Sequence, residues 1–196
     1  MGWDDGRHGA APVTLLVHVC CGPCLYALLP SLRSGGHEVR GYFYNPNVHP
    51  YREFRKRLRA AEIAGERENV PMTLVAEYGL TPFLRSVVGH EEKRCARCYA
   101  LRCSRAAQAA AADGMEGFTT TLLASPHQDL EAVRRAARAA AAAAGVAFLD
   151  GDWRGEHDRA HAAARRQSLY RQQYCGCIYS EYDRYGGSGR RGREDG

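Results

Sequence analysis

Residues 13–35, VTLLVHVCCGPCLYALLPSLRSG, decide the fold. Val13 to Val19 is a continuous apolar and β-branched run, the pattern of a strand buried on both faces. It ends in Cys20-Cys21-Gly22-Pro23-Cys24. Pro23 suits the first turn of a helix, where a missing N–H costs nothing, and Leu25, Leu28, Leu29 and Leu32 follow at helical spacing until Gly35-Gly36. The unit is strand, cysteine-bearing turn, helix.

Outward from this unit the same alternation repeats. Glu38 to Tyr44 reads as a strand, Tyr51 to Glu68 as a charged amphipathic helix, and Met72 to Glu77 as a strand after Pro71. Cys95 to Ala112 is an alanine-rich helix closed by Asp113-Gly114, and Gly117 to Leu123 a strand. Asp129 to Ala144 is a helix closed by Gly145, Val146 to Leu149 a strand, and Asp158 to Gln173 a helix leading into Tyr174-Cys175-Gly176-Cys177. Strands alternating with helices predict a parallel, doubly wound α/β sheet. Ligands of such sheets lie beyond the carboxyl ends of the strands, where Cys20 to Cys24, Asn45 to Pro50 and Thr119 to Asp129 fall.

The chain's 196 residues suit one domain, because that length buries roughly 70% of its unfolded surface. Residues 13–183 carry the domain, with a helical, cysteine-bearing C-terminal segment. Residues 1–12 read as a flexible extension without a secretory h-region, and 184–196 as a disordered basic tail. No run resembles the roughly 20 apolar residues of a membrane span, so a cytoplasmic protein is expected. The net charge of +5 permits RNA binding but is also an ordinary solvated surface.

Eight cysteines are many for a reducing compartment, where grouped thiols serve metal or redox chemistry more often than structural disulfides. Seven form three groups: Cys20, Cys21 and Cys24; Cys95 and Cys98; Cys175 and Cys177. Cys103 alone reads as a buried apolar residue. Cys95-x-x-Cys98 is one metal half-site, and Cys20-Cys21, on a turn after a buried strand, can supply the other. Spacing does not separate a 4Fe-4S cluster from a four-cysteine zinc site. Cys175-Gly176-Cys177 can close a small disulfide and act as a redox couple, the preferred reading, or ligate a metal.

Six segments together are similar to the QueH type of epoxyqueuosine reductase: residues 18–24 (HVCCGPC), 41–50 (GYFYNPNVHP), 94–99 (RCARCY) with Arg102, 119–126 (TTTLLASP), 148–154 (FLDGDWR) and 168–181 (SLYRQQYCGCIYSE). The resemblance implies a HUP-like α/β fold and the cobalamin-independent last step of queuosine synthesis. It also implies a 4Fe-4S cluster with an adjacent mononuclear iron. Carried over, the cluster ligands are Cys20, Cys21, Cys95 and Cys98, and the redox-active disulfide is Cys175 with Cys177. Cys24, or the pair Cys175 and Cys177, remains available to the second iron. The partners implied are tRNA with epoxyqueuosine in its anticodon loop and an unidentified reductant protein or low-potential electron donor.

Substrate contacts are expected from Tyr44, Asn45, Asn47 and His49, which follow a strand end, although Asn-Pro-Asn is also a turn-forming string. Asp152 and Arg154 follow another strand end, and Tyr170 and Arg171 precede the CGC pair. Arg52, Arg55, Lys56, Arg57 and Arg59 are candidate phosphate contacts, and the tyrosines of 170–182 candidate stacking partners. Two other classes compete. A tRNA sulfurtransferase of related fold would need an ATP-binding loop where Cys20 to Cys24 stand, and a structural-zinc RNA-binding protein would be colourless.

Overall fold

The apolar run that opens the chain forms β1 (Thr14–His18), and Leu15, Leu16 and Val17 are almost wholly removed from solvent. In the computed structural model, which describes residues 13–186, it is the central strand of the sheet. The extension expected over 1–12 and residues 187–196 of the expected tail lie outside the described residues. α1 (Gly22–Ser34) starts at the cysteine turn with Pro23 in its first turn. Gly22 lets α1 approach the backbone of Ala60, which a side chain would strike.

The remaining elements follow the predicted alternation: β2 (Glu38–Phe43), α2 (Tyr51–Arg67), β3 (Met72–Leu74), α3 (Leu80–Val87), α4 (Arg94–Ala112) and β4 (Gly117–Thr120), then α5 (Leu130–Ala144), β5 (Ala147–Phe148), α6 (His157–Arg166) and α7 (Ile178–Tyr185). Asp129 caps α5 through its carboxylate on the Ala132 N–H, and Gly145, at φ 72°, ends it. α1 packs on α2 and α6, and α4 packs on α5.

All pairings are parallel, in the order β3-β2-β1-β4-β5. The order reverses between β1 and β4, where Val17 pairs with Thr119 and His18 with Thr120. That reversal is the switch point at which doubly wound sheets bind their ligands. The expected fold class holds.

Four boundaries differ from the sequence reading by two residues or more. β3 stops at Leu74, three residues before the expected end. β4 stops at Thr120 instead of Leu123, because the Thr120 hydroxyl accepts from the Leu122 N–H at 3.2 Å and turns the chain into a 3-10 helix, Thr121–Ala124. α6 ends at Arg166, and Ser168 at φ 53° releases residues 169–177 as an extended strap. α7 continues to Tyr185, so Arg184 and Tyr185, assigned by sequence to the tail, are helical.

α3 was not anticipated, although it buries Phe83 and Val87. α7 was not either: none of its residues is buried, and its stripe of Ile178, Tyr179, Tyr182 and Tyr185 spans only about two turns.

Candidate functional site

The first thiols stand directly beyond β1, at the switch point. Cys20 is tied to the end of β4 twice: its N–H donates to Thr121 Oγ1 at 2.9 Å, and the Thr121 hydroxyl donates to its sulfur at 3.2 Å. The Cys20 and Cys21 sulfurs are 3.9 Å apart, and Cys21 forms a disulfide with Cys24. The sulfurs of Cys20, Cys21 and Cys24 lie within 4.8 Å of one another. From the strap, Gln172 Nε2 donates to Cys21 at 3.1 Å and reaches Cys24 at 3.6 Å.

The second thiol group sits where α4 meets the CGC turn. Cys98 and Cys177 are buried side by side with Phe83 and Val87 of α3, while Cys95 and Cys175 are exposed. Burial, opposed by Arg102, pushes the Cys98 thiol up to about 12, and Cys175 and Cys177 add to the rise. Burial, then Cys175, likewise raises Cys95. Cys175 and Cys177 are free thiols, and Gln128 Nε2 donates to Cys175 at 3.3 Å.

The CGC turn is held from beneath by a buried ion pair. Arg57 donates through Nε to Glu53 at 2.7 Å, through Nη1 to the Cys175 carbonyl at 2.7 Å, and through Nη2 to the Tyr174 carbonyl at 2.8 Å. Tyr170 donates to the other Glu53 oxygen, and burial and that carboxylate raise its phenol. The His49 N–H donates to the Gly176 carbonyl at 2.7 Å, and Tyr174 Oη to the His49 carbonyl at 2.5 Å. Arg57, a candidate phosphate contact in the sequence, is thus an internal brace. Arg52, Arg55 and Arg59 are exposed, Arg59 paired with Glu62, and Lys56 lies over the Tyr170 ring.

Arg102 joins the two thiol groups. It is 1% exposed, it donates to Asn45 Oδ1 at 2.8 Å, and its Nη1 is 3.8 Å from the Cys98 sulfur. Among the described residues no carboxylate pairs with it. Burial opposes its charge, yet Cys98, Cys20 and Cys175 hold its pKa above the ordinary guanidinium value. A cavity of about 480 Å³ opens here, with Cys20, Cys24 and Cys175 in its wall beside Arg102 and Gln172.

The expected ligand set, Cys20, Cys21, Cys95 and Cys98, therefore divides between two groups on either side of Arg102. Cys24 belongs to the first group, Cys175 and Cys177 to the second. Of the expected substrate contacts, Arg171 lines the cavity. Tyr44 lies under Arg105 and against Tyr42. Asn45 is a brace, donating to the Val19 carbonyl at 2.9 Å and accepting from Arg102. Asp152 and Arg154 form an exposed bidentate pair with contacts of 2.8 and 2.6 Å.

Asn47 and His49 are each 1% exposed, and none of their side-chain nitrogen and oxygen atoms has a partner among the described residues. Burial holds the His49 imidazole at about 4, so it is neutral, between Tyr78 and Phe83 with ring centres 5.5 and 5.3 Å away.

Arg102, Gln128 and Gln172 touch sulfur yet were not singled out as site residues. Arg102, one helical turn after Cys98, carried a readable signal; Gln128 carried none. His127, His157 and His161, also in the cavity wall, were missed as well.

The family model described as epoxyqueuosine reductase QueH matches residues 15–183. Relatives bearing that name include the protein of Dehalococcoides mccartyi, 34% identical over 88% of this chain and 94% of its own. Those of Histophilus somni and Thermotoga maritima are each 32% identical, over 86% and 87% of this chain and 72% and 92% of their own.

Proposed function

Because the chain belongs to the epoxyqueuosine reductase QueH family, we propose that it removes the epoxide oxygen of epoxyqueuosine at the wobble position of tRNA, giving queuosine. The observation that carries this reading is the meeting of sulfurs from three distant segments, Cys20, Cys98 and Cys175, around the buried charge of Arg102 at the sheet's switch point. Family membership does not favour a sulfurtransferase or a zinc module. No helix among the described residues is long and apolar enough to cross a membrane, in keeping with action on tRNA in the cytoplasm.

The residues fit an anionic iron-thiolate group. A buried guanidinium without a carboxylate needs another counter-charge, and thiolates bound to metal supply it where protonated thiols do not. Unpartnered buried polar atoms call for an explanation, and the Asn47 amide places its own against Gly176 of the CGC turn. Four thiolates on one zinc stand about 3.8 Å apart, from Zn–S near 2.3 Å in a tetrahedron. Among the described residues only Cys20, Cys21 and Cys24 gather within 4.8 Å, so the four expected ligands do not converge at the spacing of a single zinc. A 4Fe-4S cluster held by Cys20, Cys21, Cys95 and Cys98, with an adjacent iron, would supply single electrons and a Lewis acid for the epoxide oxygen.

The protein's own groups do the rest. Ligation by Cys21 requires its bridge to Cys24 to be opened by a two-electron reductant. Thr121 and Gln172 direct N–H and O–H dipoles at the first thiols, and Gln128 at Cys175, which stabilises their thiolate forms. Removing the oxygen breaks both epoxide C–O bonds, forms a C=C bond and releases water, consuming two electrons and two protons. Oxidation of the Cys175 and Cys177 dithiol to a disulfide yields that number of each. A reductant protein or low-potential donor must then restore the dithiol.

The deciding experiment is anaerobic incubation of iron-reconstituted protein with epoxyqueuosine-containing tRNA, with queuosine read by mass spectrometry. Iron-loaded protein that leaves the epoxide intact in the presence of a low-potential reductant defeats the proposal.

A further inference from the structure

The cavity wall contains four arginines and one carboxylate, Asp183. Three of these five charges are already engaged. Arg57 and Arg102 are buried and committed to the CGC turn and to Asn45, and Asp183 accepts from Arg94 at 2.7 Å. Arg171 and Arg184 are different. Arg171 is half-buried and Arg184 exposed, and among the described residues neither guanidinium has an ion pair or a hydrogen-bond partner. The wall thus presents two uncompensated cations near its mouth.

At about 480 Å³ the cavity falls within the roughly 300–1,000 Å³ of small-molecule sites. It holds one nucleoside and excludes a folded stem. A target base in a longer polymer must therefore be turned out of its stack to enter, leaving its sugar and flanking phosphates at the mouth. Arg171 adjoins Gln172, which reaches the Cys21 and Cys24 sulfurs, so a phosphate on Arg171 fixes the distance between backbone and thiols.

Resting on the tRNA reading above, we infer that Arg171 and Arg184 each hold one of the two phosphodiesters flanking the extruded nucleotide, so that the mouth recognises a polynucleotide and not the free nucleoside. Phosphate contacts of this kind position the chain and carry no base information. Guanidinium suits the task because its planar fork pairs two phosphate oxygens at once.

The test is equilibrium binding of an epoxyqueuosine-containing anticodon stem-loop across a potassium chloride series, with steady-state kinetics on the same substrate. Single-strand phosphate contacts each contribute about 0.7 to the slope of log affinity against log salt. Arg171→Gln with Arg184→Gln should flatten the slope by about 1.4 and raise KM by tenfold or more, with a smaller effect on kcat. Each single change should flatten it by about half as much, and Arg171→Lys with Arg184→Lys should restore it.

The charge-matched control, Arg40→Gln with Arg135→Gln, removes two exposed cations outside the cavity wall and should leave the slope unchanged. An unaltered slope in the double glutamine variant, or equal flattening in the control, overturns the clamp while leaving the tRNA reading intact. Wild-type protein that neither binds the stem-loop nor converts it overturns both.

Discussion

Arg102 Nη1 lies 3.8 Å from the sulfur of Cys98, one turn earlier in α4, and both side chains are shut away from solvent. In the metal-free protein this pairing is poorly matched, since burial holds Cys98 protonated up to about 12 and leaves the guanidinium charge without an anion. Removing an unpaired buried charge relieves a desolvation penalty of roughly several kcal/mol, which offsets the roughly 1–3 kcal/mol of leaving Asn45 Oδ1 without its donor. Arg102→Met should therefore leave the metal-free melting temperature level or higher, while iron bound per chain after reconstitution falls at least fivefold. Calorimetry with iron and sulfide analysis checks both halves. A variant that melts well below wild type yet keeps all its iron contradicts the counter-charge role.

The grouping of thiols was legible in the sequence because spacing within a turn or a helix is local. β1, its cysteine turn and α1 were legible for the same reason. What joins the groups was not. α4 carries Arg94, Arg97, Arg102 and Arg105 in one alanine-rich stretch, and only packing against Asn45 makes Arg102 the buried one. Asn45, Asn47 and His49 have the right chemistry for a site, but the loop turns them inward, which composition does not reveal. The end of α6 depends on a left-handed Ser168, a residue type that gives little warning of that backbone.

Cys95 and Cys103 lie on the same helix and should behave oppositely. Cys103 is wholly buried in the main core, and burial lifts its thiol to about 12. Cys103→Ala should cost about 1 kcal/mol, a small-residue truncation, and retain iron and turnover. Cys95→Ser should remove cluster absorbance and turnover together. Visible spectra and queuosine formation measured in parallel decide the matter, and activity surviving in Cys95→Ser without the cluster would end the ligand assignment.

Gly176 sets the geometry of the CGC turn. Its φ of 139° is one that L side chains rarely adopt, and an added Cβ would meet Arg57 Nη1 and Val48 Cγ2 at 3.1 Å. Gly176→Ala should destabilise the fold by about 1–3 kcal/mol and shift the thiol reactivity of Cys175, because the Arg57 contact to the Cys175 carbonyl must give way. Denaturant unfolding and the alkylation rate of Cys175 provide the readouts. Wild-type values for both would show that the turn tolerates a side chain and is not braced as described.

His161 should make the fold acid-sensitive. Its ring stacks on His157 with centres 4.2 Å apart, and Nε2 has no partner among the described residues. Burial lowers its pKa to about 4, with His157, Arg171 and Arg165 adding to the fall and Asp158 opposing it. The folded state thus binds fewer protons than the unfolded chain between pH 6.5 and about 4. Stability contributed by the neutral ring is complete above pH 6.5 and is lost as pH falls through that window.

His161→Phe keeps a ring beside His157 but cannot be protonated, so its stability should fall less than wild type's between pH 7 and pH 5. Urea unfolding at the two values measures the difference, and an NMR titration should place the wild-type imidazole near 4. A midpoint near 6.5 would mean that the ring is solvated and that the wall between α6 and Arg171 is looser than this packing requires.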